Sequence, residues 1–432
     1  MSENKDFFVI EGLSGKKKLH GKITVNGSKN AVLPAMASAL LFDGPLTLTN
    51  APTTEDVKRM GELMKKMQNR VLHKGKRVII LDSRNAKKTI LEKEISKRFR
   101  ASIILIGPTL ARFGQVSFPH PGGCVIGARP IDLFIDGFQK MGASFSEKDG
   151  MYTLKTKGEK LVGAEITFKL QSVTATETFM FAAVLAKGKT ILNNVALEPE
   201  VTSIAEYLVQ CGANISGIGT TTMIIEGGYL LKTKVDPFEI IPDRIEAGSF
   251  LVLGALSASK LTIEKCDPKH LVIPIEIFRE AGVDIETGQD FIIVKPGKVG
   301  VCDTLSVRTH EYPGFPTDLQ APFTVFATQS CVEGTVFETI FEGRLNYTED
   351  LIKMGANIKM WDAHHITVKG PTLLKGKNME GPDIRAGIAF IIAAIAAEGQ
   401  STIHNAYIID RGYEQIEKRI RKIGVNIRRV AG

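Results

Sequence analysis

The residues with the most chemical potential lie in Pro121-Gly122-Gly123-Cys124-Val125-Ile126-Gly127-Ala128-Arg129-Pro130. Two glycines precede a cysteine, and an arginine follows it five residues later. Glycine lets a loop adopt backbone angles closed to other residues and approach a ligand closely. Positive charge beside a thiol lowers its pKa, so the sulfur can act as nucleophile or proton donor at neutral pH. Arginine grips phosphate or carboxylate through two parallel hydrogen bonds. Loop, thiol and anion clamp together point to chemistry on an anionic substrate. The competing reading is a small buried hydrophobe, the usual state of a lone cysteine.

Other segments carry groups of the same kind. Asn26-Gly27-Ser28-Lys29-Asn30 stands between the strand-like KITV and an apolar helix starting near Ala31. A helix start with Lys29 suits an anion, and an N-cap by Ser28 is the simpler alternative. Asp318, in Phe315-Pro316-Thr317-Asp318-Leu319-Gln320, is placed either to cap the helix that follows or to act as a general base. Arg344, Arg385 and Arg411 each follow a strand-like segment, and Asp383-x-Arg385 or Asp410-Arg411 can also form structural ion pairs. Arg100 and Arg112 flank an apolar stretch, where surface solvation is the default. Gly188-Lys189-Thr190 lacks the first glycine of a phosphate loop, and Gly217-Ile218-Gly219 lacks the third glycine of a dinucleotide fingerprint. No motif points to a metal, flavin or nicotinamide cofactor.

These residues need a scaffold, and the composition supplies one. The 432 residues are 44% hydrophobic and 24% charged, as in a globular protein with a substantial core. The five cysteines are widely spaced and lack CxxC, which argues against a disulfide framework or zinc site. The N-terminus lacks the layout of a signal peptide, and the apolar run from Ala386 to Ala397 is too short to span a bilayer. A cytoplasmic, reduced protein is expected. The net charge of +8 includes Lys16-Lys17-Lys18 and the cluster from Arg419 to Arg429. Without interleaved aromatics these read as a solvated basic surface, not a nucleic-acid site.

The chain also repeats itself about every 70 residues. One phrase is a β-like run ending in a turn: LTLTNAP, TILNNVALEP, LTIEKCDP, TVFETIFEG and STIHNAYIIDRG. A second places glycine after a helical stretch and before a strand: FQKMGASF, YLVQCGANI, FREAGVDI, LIKMGANIK and IRKIGVNI. The first unit has LMKKMQNRV there instead. Six units, three on each side of about Ile241, predict two α/β domains of similar build. Apolar helices should lie inside and sheets around them.

NGSKNAVLP, RASI, GPTLARFGQ, PGGC-x-IGARP, PDRIEAG, FPTDLQA and DRGYE occur together and in order. By this set the chain resembles the enolpyruvyl transferase family, on its UDP-N-acetylglucosamine 1-carboxyvinyltransferase branch. The resemblance covers nearly the whole chain. It implies two inside-out α/β barrels with the active site in the inter-domain cleft: residues 29–241 in one, 1–28 and 242–432 in the other. It implies no cofactor and no metal. Phosphoenolpyruvate and UDP-N-acetylglucosamine would be the partners, with no nucleic acid, membrane or obligate protein partner.

By the same resemblance, Cys124 would protonate C3 of phosphoenolpyruvate or bond to it, and its loop would close over bound sugar. Asp318 would take the sugar hydroxyl proton, and Asp383 would assist proton transfer. Lys29, Arg129 and Arg411 would hold phosphate. Arg344, Arg385 and Arg411 would hold the pyruvyl carboxylate, and Asn30 the intermediate. The nucleotide sugar would meet Arg100, Arg129, Pro130, Ile131, Asp132, Leu133, Ser172, Val173, Asp318 and Ile340. Two positions depart from the family pattern. Phe134 replaces a histidine near the uracil, and Leu170-Gln171-Ser172-Val173-Thr174 replaces a lysine-led diphosphate segment, with Lys169 one place early. Another uridine nucleotide as acceptor, or a non-catalytic UDP-sugar-binding relative, are the alternatives.

Overall fold

The computed structural model describes residues 5–122, 131–233, 236–295 and 302–432. Cys124, Arg129 and Pro130 lie outside the described residues. The chain forms two compact units. One is built from the segment up to Asn26 together with Pro242–Gly432, and the other from residues between Gly27 and Ile241.

Each unit carries three sheets. Five of the six share one plan: a parallel pair extended by two antiparallel strands. In one such sheet Cys302–Arg308 runs parallel to Cys331–Phe337, and His365–Lys369 and Asn357–Met360 complete it antiparallel. The sixth has only Gln115–Pro119, Met151–Thr156 and Ala143–Lys148. There a single parallel bridge, Ile90 to Ser117, stands where the other sheets have a strand. The N-terminal segment supplies two strands to its unit. Phe7–Glu11 lies between Gln400–His404 and Asn426–Val430, and Leu19–Thr24 pairs with Ala258–Glu264.

Helices without a polar face fill the interior, because a helix apolar all round must be covered all round. Arg244–Ser257, Gln320–Ser330 and Ile384–Ala396 pack on one another in one unit. In the other, Val173–Leu185 is such a helix and packs on Ile106–Phe113, whose Arg112 end is only partly buried. Outer helices end at the repeated glycine. Gly142, Gly212, Gly282, Gly355 and Gly424 all have φ between 83° and 110°, the left-handed stop that glycine adopts most cheaply. In the first unit Gln68 takes that conformation, with φ 68°.

Two expectations change. STIHNAYIIDRG is not one strand: Gln400–His404 is followed by the helix Ala406–Asp410, entered through Asn405 at φ 58°. The cluster from Arg419 to Arg429 is not simply solvated. Arg419 binds both oxygens of buried Glu246 and the Thr24 carbonyl, while Arg429 binds both oxygens of Asp410. Cysteines far apart in sequence also meet, since Cys302 and Cys331 face each other across neighbouring strands with sulfurs 2.7 Å apart. They are free thiols. Among the described residues no helix is long and apolar enough to cross a membrane.

Candidate active site

A charged cluster in the unit containing Pro242–Gly432 is built on three chain segments. Pro316 is extended after the turn at residues 311–314, and a single 3-10 turn, Thr317–Leu319, carries Asp318 into the interior helix Gln320–Ser330. Arg344 lies in the turns between the strand Cys331–Phe337 and the helix Thr348–Lys353. Arg385 is the second residue of the buried helix Ile384–Ala396.

These three side chains converge. Arg344 Nη2 donates to Asp318 Oδ1 at 2.8 Å. Arg385 Nε and Nη2 reach Asp318 Oδ2 at 2.9 and 2.8 Å. The arginine side chains are 4% and 5% exposed and the aspartate 25%, so the carboxylate is the part of the cluster open to solvent. Asp318 therefore caps no helix; the side-chain cap expected as one alternative is absent. Burial works against the charge of Arg344, but Asp318, Asp383 and Glu338 outweigh it and raise its pKa. The same opposition, with Asp318 the main support, raises that of Arg385. Such buried charges persist only when paired.

A second layer holds the arginines. Arg344 Nη1 donates to Thr317 Oγ1 at 2.9 Å, and that hydroxyl donates to Glu338 Oε2 at 2.8 Å. Arg385 Nη1 donates to the Tyr413 hydroxyl at 3.2 Å, which also meets Ser249 Oγ at 3.0 Å. Burial pushes the Tyr413 pKa up to about 12. Thr317, Glu338 and Tyr413 were not singled out from the sequence. Glu338 sits inside the repeated phrase TVFETIFEG, but nothing in that phrase marks one carboxylate as buried.

Other expected site residues have local duties. Asp383 Oδ1 caps the helix by accepting from the Arg385 and Ala386 amides at 2.7 and 3.2 Å. The Asp383–Arg385 relation is thus cap to backbone, not an ion pair. Asp410 pairs with Arg429, and Arg411 follows the helix Ala406–Asp410 as its C-cap. The Ile340 amide donates to Glu338 Oε1 at 2.8 Å.

In the unit between Gly27 and Ile241, Ser28 caps a helix that starts at Lys29, two residues earlier than the apolar pattern suggests. Lys29 Nζ lies 3.4 Å from Asp56 Oδ2, both side chains largely buried, and Asn30 follows it half-buried. Arg100 opens the 3-10 helix Arg100–Leu105. Arg112 is not a solvated surface group, because its Nη1 donates to the carbonyls of Leu40 and Phe42 at 2.7 and 2.9 Å. Ile131 N-caps the helix Asp132–Lys140, with Asp132 exposed and Leu133 against the core. Ser172 caps the helix that begins with Val173. Phe134 is buried and stacks on Phe179, centroids 6.1 Å apart, so its ring belongs to the core. Leu170 is 78% exposed. Gly122 packs so tightly on the Lys97 carbonyl that a Cβ would lie 1.6 Å from its oxygen. Its small size serves packing at that point.

Residues 13–420 match the sequence profile described as EPSP synthase (3-phosphoshikimate 1-carboxyvinyltransferase). The chain belongs to the EPSP synthase/enolpyruvyl transferase family. A relative from Koribacter versatilis, named UDP-N-acetylglucosamine 1-carboxyvinyltransferase, is 41% identical over 98% of this chain and 96% of its own. One of the same name from Campylobacter hominis is 39% identical over 97% and 99%. Among solved structures, the enolpyruvyl transferase NikO from Streptomyces tendae superposes with a TM-score of 0.87 at 21% identity, covering 99% of this chain and 100% of its own. An EPSP synthase from Acinetobacter baumannii superposes with a TM-score of 0.70 at 17% identity, covering 99% and 100%. The enolpyruvyl transferase fold thus extends over the whole chain as a two-domain α/β architecture.

Proposed function

We propose that this chain transfers the enolpyruvyl group of phosphoenolpyruvate to the 3-hydroxyl of UDP-N-acetylglucosamine and releases phosphate, the step that opens peptidoglycan precursor synthesis in the cytoplasm. The observation that carries this reading is the end-to-end likeness to relatives of that name. Supporting it is a solvent-facing carboxylate bracketed by two buried guanidinium groups.

In the first half-reaction the sugar oxygen bonds to C2 of phosphoenolpyruvate, C3 takes a proton, and the hydroxyl proton goes to a base. In the second, C3 loses a proton and the C2–O bond to phosphate breaks, leaving an enol ether. Asp318 is the base and Cys124 the acid at C3, with Asp383 assisting. Arg344, Arg385 and Arg411 neutralise the pyruvyl carboxylate. Lys29, Arg129 and Arg411 hold the phosphate, and Asn30 binds the tetrahedral intermediate. Arg100, Arg129, Pro130, Ile131, Asp132, Leu133, Ser172, Val173 and Ile340 line the nucleotide-sugar side.

Phosphate release from phosphoenolpyruvate with UDP-N-acetylglucosamine tests the reading. Wild type should turn over, and Cys124→Ser should lose about 10²–10⁴-fold, the usual worth of a positioned general acid. Absence of turnover by wild type, or faster turnover with UMP as acceptor, would overturn the assignment.

A further inference from the structure

We infer that Glu338, acting through the Thr317 hydroxyl, orients Arg344 and thereby sets the grip of the site on the carboxylate of its anionic substrate. This rests on the function proposed above, in which Arg344 meets the pyruvyl carboxylate.

The direction of each hydrogen bond carries the argument. A guanidinium N–H only donates. Thr317 Oγ1 must therefore accept from Arg344 Nη1, at 2.9 Å. The hydroxyl proton then needs an acceptor, and Glu338 Oε2 is 2.8 Å away. A carboxylate is the one arrangement of this side chain that accepts without ambiguity. Glu338 is fully buried, and its other oxygen accepts from the Ile340 and Phe341 amides at 2.8 and 3.1 Å. Its backbone is fixed too: the amide donates to the His364 carbonyl at 2.8 Å, and the carbonyl meets His364 Nδ1 at 2.7 Å. Among the described residues no lysine or arginine contacts Glu338 directly. Its hydrogen-bonded link to a cation runs through Thr317.

Two jobs are therefore separable. Oε1 holds the turn at residues 338–341, and Oε2 holds Thr317. Arg344 needs that hold, because Nη2 is on Asp318 and Nε is buried without a hydrogen-bond partner among the described residues. With Thr317 removed, the guanidinium keeps its hydrogen bond to Asp318 and its place 5.3 Å over the Phe341 ring, and Asp318 is itself a group that must meet substrate. Glu338 and Thr317 are positioning residues; neither touches the reacting atoms.

The test compares Thr317→Val, Thr317→Ser and Glu338→Gln with wild type, varying each substrate in turn. Val keeps the shape of Thr but has no hydroxyl. Gln can keep the turn through its oxygen, but places an N–H₂ against Thr317 and reverses the relay. Thr317→Val should raise KM for phosphoenolpyruvate about 10-fold, the worth of one charge-assisted hydrogen bond. KM for the nucleotide sugar should stay unchanged and kcat within a few-fold. Thr317→Ser should restore both parameters, and Glu338→Gln should follow Val. An unchanged KM for phosphoenolpyruvate in Thr317→Val, equal effects on both substrates, or failure of Ser to rescue would overturn the inference. A crystal structure of Thr317→Val separates this from the functional assignment. Arg344 should have swung its Nη1 away from residue 317 while still anchored on Asp318, whatever the substrate proves to be, and an Arg344 left in place refutes the relay even if wild type acts on another acceptor.

Discussion

Glu177 shows how strongly one side chain can depend on its surroundings. It lies in the helix Val173–Leu185, fully buried, with Oε1 lacking any hydrogen-bond partner among the described residues. Burial, and then the carboxylates of Glu200 and Glu198, push its pKa well above 4.5. The folded state therefore keeps a proton that the unfolded chain has lost at the same pH. The stability this contributes is fully present below about 4.5 and declines as pH rises through the raised folded value, by ~1.4 kcal/mol for each pH unit between the two. Glu177→Gln, which cannot ionise, should melt higher than wild type at pH 8 and show a flatter fall of melting temperature with pH. Identical slopes would mean the carboxyl is not the source. Sequence alone offered no hint, since TATETFMFAA reads as a largely apolar helix with threonines and one charged position. Asp318 is the converse case. Its residue type and place allowed a cap or a base, and only the approach of Arg344 and Arg385 from distant segments removed the cap.

Elements were more legible. The glycine after each outer helix was visible as a phrase, and the chain does turn left-handed there. The unit that lacks glycine makes the same turn at Gln68, φ 68°, against the steric preference of a residue with a Cβ. Gln68→Gly should relieve that strain. The gain is offset in part by the greater freedom of glycine in the unfolded chain, leaving about 0.5–1 kcal/mol of net stabilisation in denaturant melts. A destabilised variant would show that contacts of the Gln68 side chain outweigh the backbone. The strand-like reading of the segment ending in Asp410-Arg411 failed for a related reason. Asn405 at φ 58° breaks the strand, and hydrophobic spacing over five residues does not separate a short helix from a strand.

At the scale of the molecule, the buried residues form two clusters with no member in common. Each belongs to one of the two compact units. Disjoint cores predict that a cavity in one leaves the other's cohesion intact. Phe179 stacks with Phe134 and packs on Phe138 and Phe168. Phe179→Ala should cost about 3–5 kcal/mol in the unit between Gly27 and Ile241. Calorimetry should then resolve two transitions, one displaced and one near its wild-type temperature. A single transition moving as a whole would show that the units unfold as one.

The α/β class, the repeating build and the apolar interior helices were decided by the sequence. Periodicity, glycine placement and the apolar run at Ala386 to Ala397 are local patterns, and local sterics and burial read them directly. The family motifs also lie in contiguous stretches. Which charges meet was decided only in three dimensions. Asp318, Arg344 and Arg385 come from three segments, and so do Thr317, Glu338 and Tyr413, because a charged or polar group is stable inside only where another chain segment brings its partner. Cys302 and Cys331 meet for the same reason, across a strand pairing that their spacing does not encode. Arg419 and Arg429 passed for surface charge until Glu246 and Asp410 were folded against them.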